Sequence, residues 1–522
     1  MTIGEKLTEQ ARIRPDTLAL IDDARRSTLT FGQLEAHVGR AAAWWSAQGI
    51  GRGDAVLVFV PMSAHLYIAL LSLFRLGAVA MFLDPSAGLV HLDRCCARLP
   101  PKALFALPKA HLLRLRSAAL RRIPIKIATG TWLPRTKRWP GSWDQGPTAE
   151  GNASPENPAL ITFTSGSTGM PKAAVRTQAF LLAQYEALAP SLALEPGDID
   201  LATLPVFVLA NLAAGVTTVI PDTDLRRPGA VDAAAILRQI ERHRVTRLTA
   251  SPAFFERLLD HARLQALTIP RLRKIHTGGA PVFPRLLEAL RALAPQADVT
   301  AVYGSTEAEP IAHLGASEIS SEDLAAMRAG RGLLAGRTEA RVRLRVLRDR
   351  WGTPRGELTE TEFANETLPA GETGEIVVTG AHVLKGYLDG LGDEETKFRV
   401  AGETWHRTGD AGCLDEQGRL WLHGRCAARI GDRRGNLYPF GVECVAMTFA
   451  SIARAAIVAH QGKRVLVVQA DQSRTDEAVL ADAIAWAQVD EIRFIKTMPV
   501  DARHNAKIDY PALQRWLDDQ GQ

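Results

Sequence analysis

Cysteine is scarce in this chain, with five in 522 residues (Cys95, Cys96, Cys413, Cys426 and Cys444), an odd number containing no CxxC pair. A disulfide framework and a zinc site built on paired cysteines are therefore excluded as expectations. Long apolar runs are also missing. The longest, Ala64 to Leu83, is interrupted by Arg75 and Gly77, and the opening MTIGEKLTEQARIRPD has no apolar signal core. No transmembrane segment is expected, and the cytoplasm is the expected location. Neither sign of charge dominates: 62 basic residues face 57 acidic ones, for a net charge of +5. That balance mildly favours anionic ligands and says little else. The basic stretches Lys109 to Arg122 and Arg341 to Arg355 read as solvated faces, and no nucleic-acid partner is expected. Internal repeats and low-complexity segments are absent as well.

What is present fits a globular protein, with 46% hydrophobic and 23% charged residues. Its length implies at least two domains. Short apolar or β-branched runs (Ala55 to Val60, Leu160 to Phe163, Thr217 to Ile220, Arg273 to His276) alternate with segments of helical period. Ala233, Ile236, Leu237 and Ile240 fall at i, i+3, i+4 and i+7, and Leu286, Leu287, Leu290 and Leu293 repeat the pattern, so both segments are predicted as amphipathic helices packed on a sheet. Such alternation implies parallel α/β layers. The stretch Gly130 to Pro158, rich in Gly, Pro, Ser and Trp, reads as a connection outside the core. After Gly374 the texture turns to short strands, and DEQGR at Asp415 to Arg419 predicts a hairpin. A second, smaller domain is expected to begin near Arg425.

The most informative segment is ALITFTSGSTGMPK, Ala159 to Lys172, where a strand runs into a loop of hydroxyls and glycines ending in lysine. Its composition is that of a phosphate cradle. Gly166 and Gly169 let backbone N–H groups approach an anion, Thr164, Ser165, Ser167 and Thr168 offer hydroxyls, and Lys172 adds a point charge. The spacing is not that of a Walker A loop, because Lys172 is not directly preceded by glycine. The competing reading, a flexible Ser/Gly linker, sits poorly with the apolar strand before it and the Pro-Lys after it.

Read whole, that segment resembles the signature loop of the AMP-binding acyl-activating superfamily, which includes acyl-CoA synthetases, luciferases and the adenylation domains of peptide synthetases. The resemblance runs from about Thr30 to Lys507. GGAP at Gly278 to Pro281, YGSTE at Tyr303 to Glu307, GEIVVTG at Gly374 to Gly380, WHRTGD at Trp405 to Asp410, and Gly424 with Arg425 follow in the family's order.

The resemblance implies ATP and Mg²⁺ as cofactors and a fatty acid as small-molecule substrate. Tyr303 would stack on adenine, a contact worth roughly 1 to 3 kcal/mol for a base on an aromatic ring. Gly279 and Ala280 are small enough for the ring's other face to approach backbone. Thr306 would offer a hydroxyl to phosphate and Glu307 a carboxylate oxygen to Mg²⁺. Asp410 is expected at the ribose hydroxyls, with Arg425 also at the nucleotide. PVDARHNAKIDY, Pro499 to Tyr510, is similar to the loop that carries the family's adenylation lysine, which gives Lys507 that role. The implied fold is a large multilayer α/β domain over residues 1–424, with a smaller mobile α+β domain over 425–522 that closes over the site and carries Lys507.

Three departures narrow the expectation. Ala506 stands before Lys507 where the family commonly has glycine; Cys426, Ala427, Ala428, Arg429, Ile430 and Gly431 replace the usual charged hinge; and Leu204 to Leu212 lacks the aromatic-histidine pair often found there in acyl-CoA synthetases. Together with ALPKAHLLRL (Ala106 to Leu115), GVTTVIPD (Gly215 to Asp222) and RHNAKI (Arg503 to Ile508), they resemble the β-lactone synthetases of olefin biosynthesis. In that branch the activated acid is a 2-alkyl-3-hydroxy fatty acid, whose own hydroxyl attacks the acyl-adenylate, so CoA is possible but not favoured. An acyl-CoA ligase forming a thioester is the alternative, and a non-catalytic AMP-binding regulator is an alternative of another class. A peptide-synthetase module is disfavoured because no carrier segment follows. The apolar run Val206 to Leu212 suits an acyl pocket and core packing equally.

Overall fold

The computed structural model describes residues 1–83, 88–131, 133–165, 171–471, 473, 475–501 and 507–520. It is a mixed α/β protein with large sheets, and its contacts divide it into two compact units. One comprises Met1–Asp222, Arg238–Val245 and Leu384–Asp393, the other Thr223–Leu237, Thr246–Val383 and Glu394–Gln522.

The first unit is built on a seven-stranded sheet. In spatial order its strands are Lys137–Arg138, Ile125–Ala128, Ala103–Ala106, Ala55–Phe59, Val79–Phe82, Pro158–Ser165 and Pro171–Thr177. Every neighbouring pair is parallel except the last, which is antiparallel. The parallel strands read as unbroken apolar runs because a parallel sheet is covered on both faces, as Ala55–Phe59 shows with all five residues buried. The helix Ala64–Arg75 accounts for the longest apolar run of the sequence. Ten of its twelve residues are buried, so it is a core helix without a polar face.

One expectation fails here. Gly130 to Pro158 is a connection in the path of the chain, yet it also supplies core: Trp139 and Trp143 are 1% and 4% exposed. The Trp139 ring lies 4.7 Å from Phe105 and 5.3 Å from Trp45. Proline and glycine mark a break in regular structure, but they do not prevent a large aromatic surface from leaving water. Val208, Leu209 and Leu212, from the apolar run at Val206 to Leu212, likewise belong to the core of this unit.

In the second unit the strands Arg247–Ala250, Lys274–Gly278 and Asp298–Ser305 are parallel. The sheet then continues antiparallel through Ala308–Gly315, Leu333–Thr338, Arg419–Arg425, Glu403–Leu414, Gly374–Thr379 and Arg343–Leu347. The predicted helix at Leu286 to Leu293 is present as Pro284–Leu293, with all four leucines buried. The DEQGR hairpin is present too: Asp415 N–H donates to the Arg419 carbonyl at 2.9 Å, and Gly418 adopts φ +72°. Toward the C-terminus a smaller α+β region follows, with a three-stranded sheet (Ile452–His460, Lys463–Ala470, Glu491–Ile495) and the helices Pro439–Ala446 and Tyr510–Gln520. All five cysteines are free and buried. Among the described residues no helix is long and apolar enough to cross a membrane.

Candidate active site

The second unit contains a cavity of roughly 350 Å³. Its lining includes Gly279, Ala280, Tyr303, Asp410, Arg425 and Lys507, residues far apart in sequence and each singled out from a separate or neighbouring motif. Backbone geometry explains how the first of these arrive. At Gly278 a Cβ would fall 2.5 Å from the Val302 carbonyl oxygen, so only glycine lets Lys274–Gly278 pack this closely beside Asp298–Ser305. Gly279 adopts φ +83° with open space where a side chain would be, which leaves its backbone bare toward the cavity.

Asp410 is held by its own strand. Two residues before it, the Thr408 hydroxyl donates to the Ile376 carbonyl at 2.9 Å and accepts from the Asp410 N–H at 3.1 Å. Three residues before it, Arg407 makes two hydrogen bonds to Glu375, at 2.6 and 2.9 Å, with both side chains out of water. Paired forks of this kind are geometrically specific, and they lock Glu403–Leu414 onto Gly374–Thr379. The Asp410 carboxylate then accepts the Tyr303 hydroxyl at 2.7 Å on Oδ2 and meets the Arg425 guanidinium at 3.2 Å on Oδ1. Burial first, and Asp410 second, push the Tyr303 phenol pKa well up. Asp410 also raises the pKa of Arg425. A carboxylate has about four acceptor positions, so these two partners leave capacity for a ligand's hydroxyls.

Lys507 enters from the end of a short loop whose two sides are tied together. Val500 bridges Ile508, Asp501 N–H donates to the Lys507 carbonyl at 2.8 Å, and the Lys507 N–H donates to Asp501 Oδ1 at 3.0 Å. Arg503, His504, Asn505 and Ala506 lie outside the described residues.

Thr306 and Glu307 follow Tyr303 at the end of the same hairpin, half-buried and outside the immediate cavity lining. Glu307 stands close enough to His406 and Arg425 to favour their protonated forms. Even so, burial and the neighbouring Lys397 push His406 down to about 3, which leaves it neutral. Among the described residues no group of three or more His, Cys, Asp or Glu side chains converges on a metal position. A single carboxylate still fits Mg²⁺, which takes most of its ligands from water and phosphate oxygens.

The glycine and hydroxyl loop belongs to the first unit. Gly166, Ser167, Thr168 and Gly169 lie outside the described residues, as do the side chains of Thr164 and Ser165, while the backbone of the latter two ends the strand Pro158–Ser165. Lys172 opens the next strand. It is buried, with its ammonium 5.8 Å from the centre of the Tyr387 ring and its stem against Gly392.

Some cavity residues were missed from the sequence. Glu443 and Tyr510 line it, and the Tyr510 hydroxyl donates to Glu443 Oε1 at 3.4 Å. Burial pushes the Glu443 carboxyl up to about 8, and the Ile457 N–H at 3.2 Å and that hydroxyl offset it only in part. The available signal was an acid in an otherwise apolar segment, Pro439 to Ala446. Glu256 and Arg454, 3.5 Å apart, also line the cavity and gave no signal of this kind.

Residues 7–388 match the family described as AMP-binding enzyme. The chain belongs to that family and is an ATP-dependent adenylate-forming ligase. Among its relatives is the olefin beta-lactone synthetase of Stenotrophomonas maltophilia (strain K279a), 33% identical over 98% of this chain and 97% of that protein. The olefin beta-lactone synthetase of Xanthomonas campestris pv. campestris is 31% identical over 99% and 98%. The indoleacetate–CoA ligase of Aromatoleum aromaticum is 29% identical over 89% and 86%. In fold, the chain is similar to the amide bond synthetase McbA from Marinactinospora thermotolerans, with a TM-score of 0.81 at 22% identity and 99% coverage of both chains.

Proposed function

We propose that the chain activates a 3-hydroxy fatty acid as its acyl-adenylate and closes it to a β-lactone. The substrate carboxylate attacks the α-phosphorus of ATP, pyrophosphate leaves, and the 3-hydroxyl then attacks the acyl carbonyl, expelling AMP and giving up its proton. The observation that carries this reading is the cavity that gathers Tyr303, Asp410, Arg425 and Lys507 beside the bare backbone of Gly279 and Ala280. A flat aromatic base fits between the Tyr303 ring and that backbone, and the remaining acceptor positions of Asp410 suit ribose hydroxyls. Lys507 would stabilise the charge shared by carboxylate and α-phosphate in the transition state. In this reading Thr306 offers its hydroxyl to phosphate. Glu307 would hold Mg²⁺, which offsets phosphate charge when bound.

The lactone product is favoured by two observations. The relatives at 33% and 31% identity are both olefin beta-lactone synthetases. Beyond Arg425, where the charged hinge is missing, a 3-10 turn Cys426–Ala428 leads to Arg429, which donates to Asp349 at 2.6 Å; Tyr438 donates to the same carboxylate oxygen at 2.8 Å. A segment tied in this way suits a lid over residues 425–522 that delivers Lys507 and has no second orientation to reach for a thiol. Internal attack needs none, since the nucleophile's effective concentration is high when it is part of the same molecule. Acyl-CoA formation is the second reading, favoured by the CoA ligases among the relatives. The test is product analysis by mass spectrometry with ATP, Mg²⁺ and either a 3-hydroxy or a simple fatty acid, with and without CoA. Lactone from the hydroxy acid without CoA is expected; efficient acyl-CoA from the simple acid, with no CoA-independent product from the hydroxy acid, rejects it.

A further inference from the structure

Charge is evenly balanced over the whole chain but not along it. Residues 94–143 contain 12 lysines and arginines and no acidic residue, bounded by Asp93 and Asp144. Everywhere else 50 basic residues stand against 57 acidic ones. The segment builds one edge of the seven-stranded sheet, ending in Lys137–Arg138, together with the helices laid against it. Its outer surface is defined by internal bonds. The Ser117 hydroxyl donates to Asp93 at 2.5 Å, His111 Nε2 donates to the Ile127 carbonyl at 3.0 Å, and Arg121 donates to the carbonyls of Arg114 and Leu115 at 3.2 and 3.0 Å.

Large aliphatic side chains stand out of this basic surface. Leu112 is 59% exposed and Leu115 76%, at the two ends of one 3-10 turn. In a 3-10 turn residues i and i+3 eclipse, so the two leucines share a face. The core beneath is filled by Leu92, Cys95, Leu120 and Ile123, and neither exposed leucine belongs to it. Lys109, Arg116 and Arg122 are exposed around them.

We propose that this face docks on an anionic lipid bilayer, with Leu112 and Leu115 entering the interface and the lysines and arginines meeting lipid phosphates. Exposed aliphatics among cations are the combination that peripheral membrane contacts use. A nucleic acid would use the charge but gain nothing from the leucines. A fatty substrate of the kind proposed above would be met at such a surface, but the docking is argued from the face alone, and vesicle binding is read without turnover. A failure here therefore leaves the reaction proposal untouched, and the reverse also holds.

The experiment is cosedimentation of the full chain with phosphatidylcholine vesicles, with and without phosphatidylglycerol, at low and high salt. Three forms are compared: wild type, K109E/R116E/R122E, and L112S/L115S, each checked by circular dichroism and thermal melting. Wild type is expected to bind the anionic vesicles and not the neutral ones, and to release in high salt. Charge reversal is expected to lose an order of magnitude or more of the partitioning, and the leucine variant to bind several-fold more weakly with its salt dependence kept. Equal partitioning of wild type into both vesicle types overturns the proposal, as does anionic-vesicle binding that neither variant weakens. Duplex-DNA binding without vesicle binding, lost on charge reversal and indifferent to the leucines, also overturns it in favour of a polyanion.

Discussion

The cavity has two unlike walls. One is made by the strands Asp298–Ser305, Glu403–Leu414 and Arg419–Arg425, where Asp410 has Arg425 at 3.2 Å and the Tyr303 hydroxyl at 2.7 Å. The other comes from the α+β region, where Glu443 has a backbone N–H and a tyrosine hydroxyl within reach and its carboxyl is pushed up to about 8. Two acids in one cavity thus have unlike surroundings: one has a guanidinium beside it, and the other is desolvated with an N–H and a hydroxyl as its hydrogen-bond partners.

The largest expected effect tests the role given to Lys507, on the wall from the α+β region. Lys507→Ala is expected to cut acyl-adenylate formation by about a hundredfold or more while ATP binding changes much less. Acid-dependent pyrophosphate release at the wild-type rate removes Lys507 from the chemistry. On the opposite wall, Asp410→Ala strips Arg425 and the Tyr303 hydroxyl of their shared acceptor. ATP affinity is expected to fall by about ten- to a hundredfold, with a smaller change in the rate at saturating ATP. An unchanged ATP titration makes Asp410 a structural acid.

Glu443→Gln sharpens the contrast through stability. The folded pKa of about 8 lies above the usual 4.5 of a glutamate. Between those values the folded chain keeps a proton that the unfolded chain has released, so stability falls as pH rises from about 4.5 to 8 and levels off beyond. The glutamine keeps an acceptor for Ile457 and has no such dependence. Its gain over wild type is expected to grow across that window to a few kcal/mol, read from denaturant unfolding at pH 5 and pH 8. A gain that is the same at both values shows that Glu443 is ionised in the fold. The smallest effect is expected at Glu307→Gln, which keeps the side chain's shape, removes its charge and raises the Mg²⁺ concentration needed for half-maximal activity. An overlapping Mg²⁺ titration leaves Glu307 without a metal role.

Local pattern was enough for the strand at Ala55 to Val60, the helix at Leu286 to Leu293 and the DEQGR hairpin, since their periods and turn residues act over a few positions. Motif order was enough to name Gly279, Ala280, Tyr303, Asp410, Arg425 and Lys507 together. It could not say that Tyr303 and Arg425 would share the Asp410 carboxylate, because Tyr303 lies 107 residues before Asp410 and its strand reaches Arg419–Arg425 only across two intervening strands of the sheet. Trp139 and Trp143 were misread for a related reason, as burial is decided by what the rest of the chain brings alongside.

The sequence by itself determined the family, the alternation of strand and helix and the residue types able to meet a nucleotide, all of which are written in short segments and their order. Only the tertiary structure decided which acid is paired and which is merely buried. Charge state inside a protein depends on the distance to the nearest cation and on the water excluded around it, and neither distance nor exclusion exists along a linear chain.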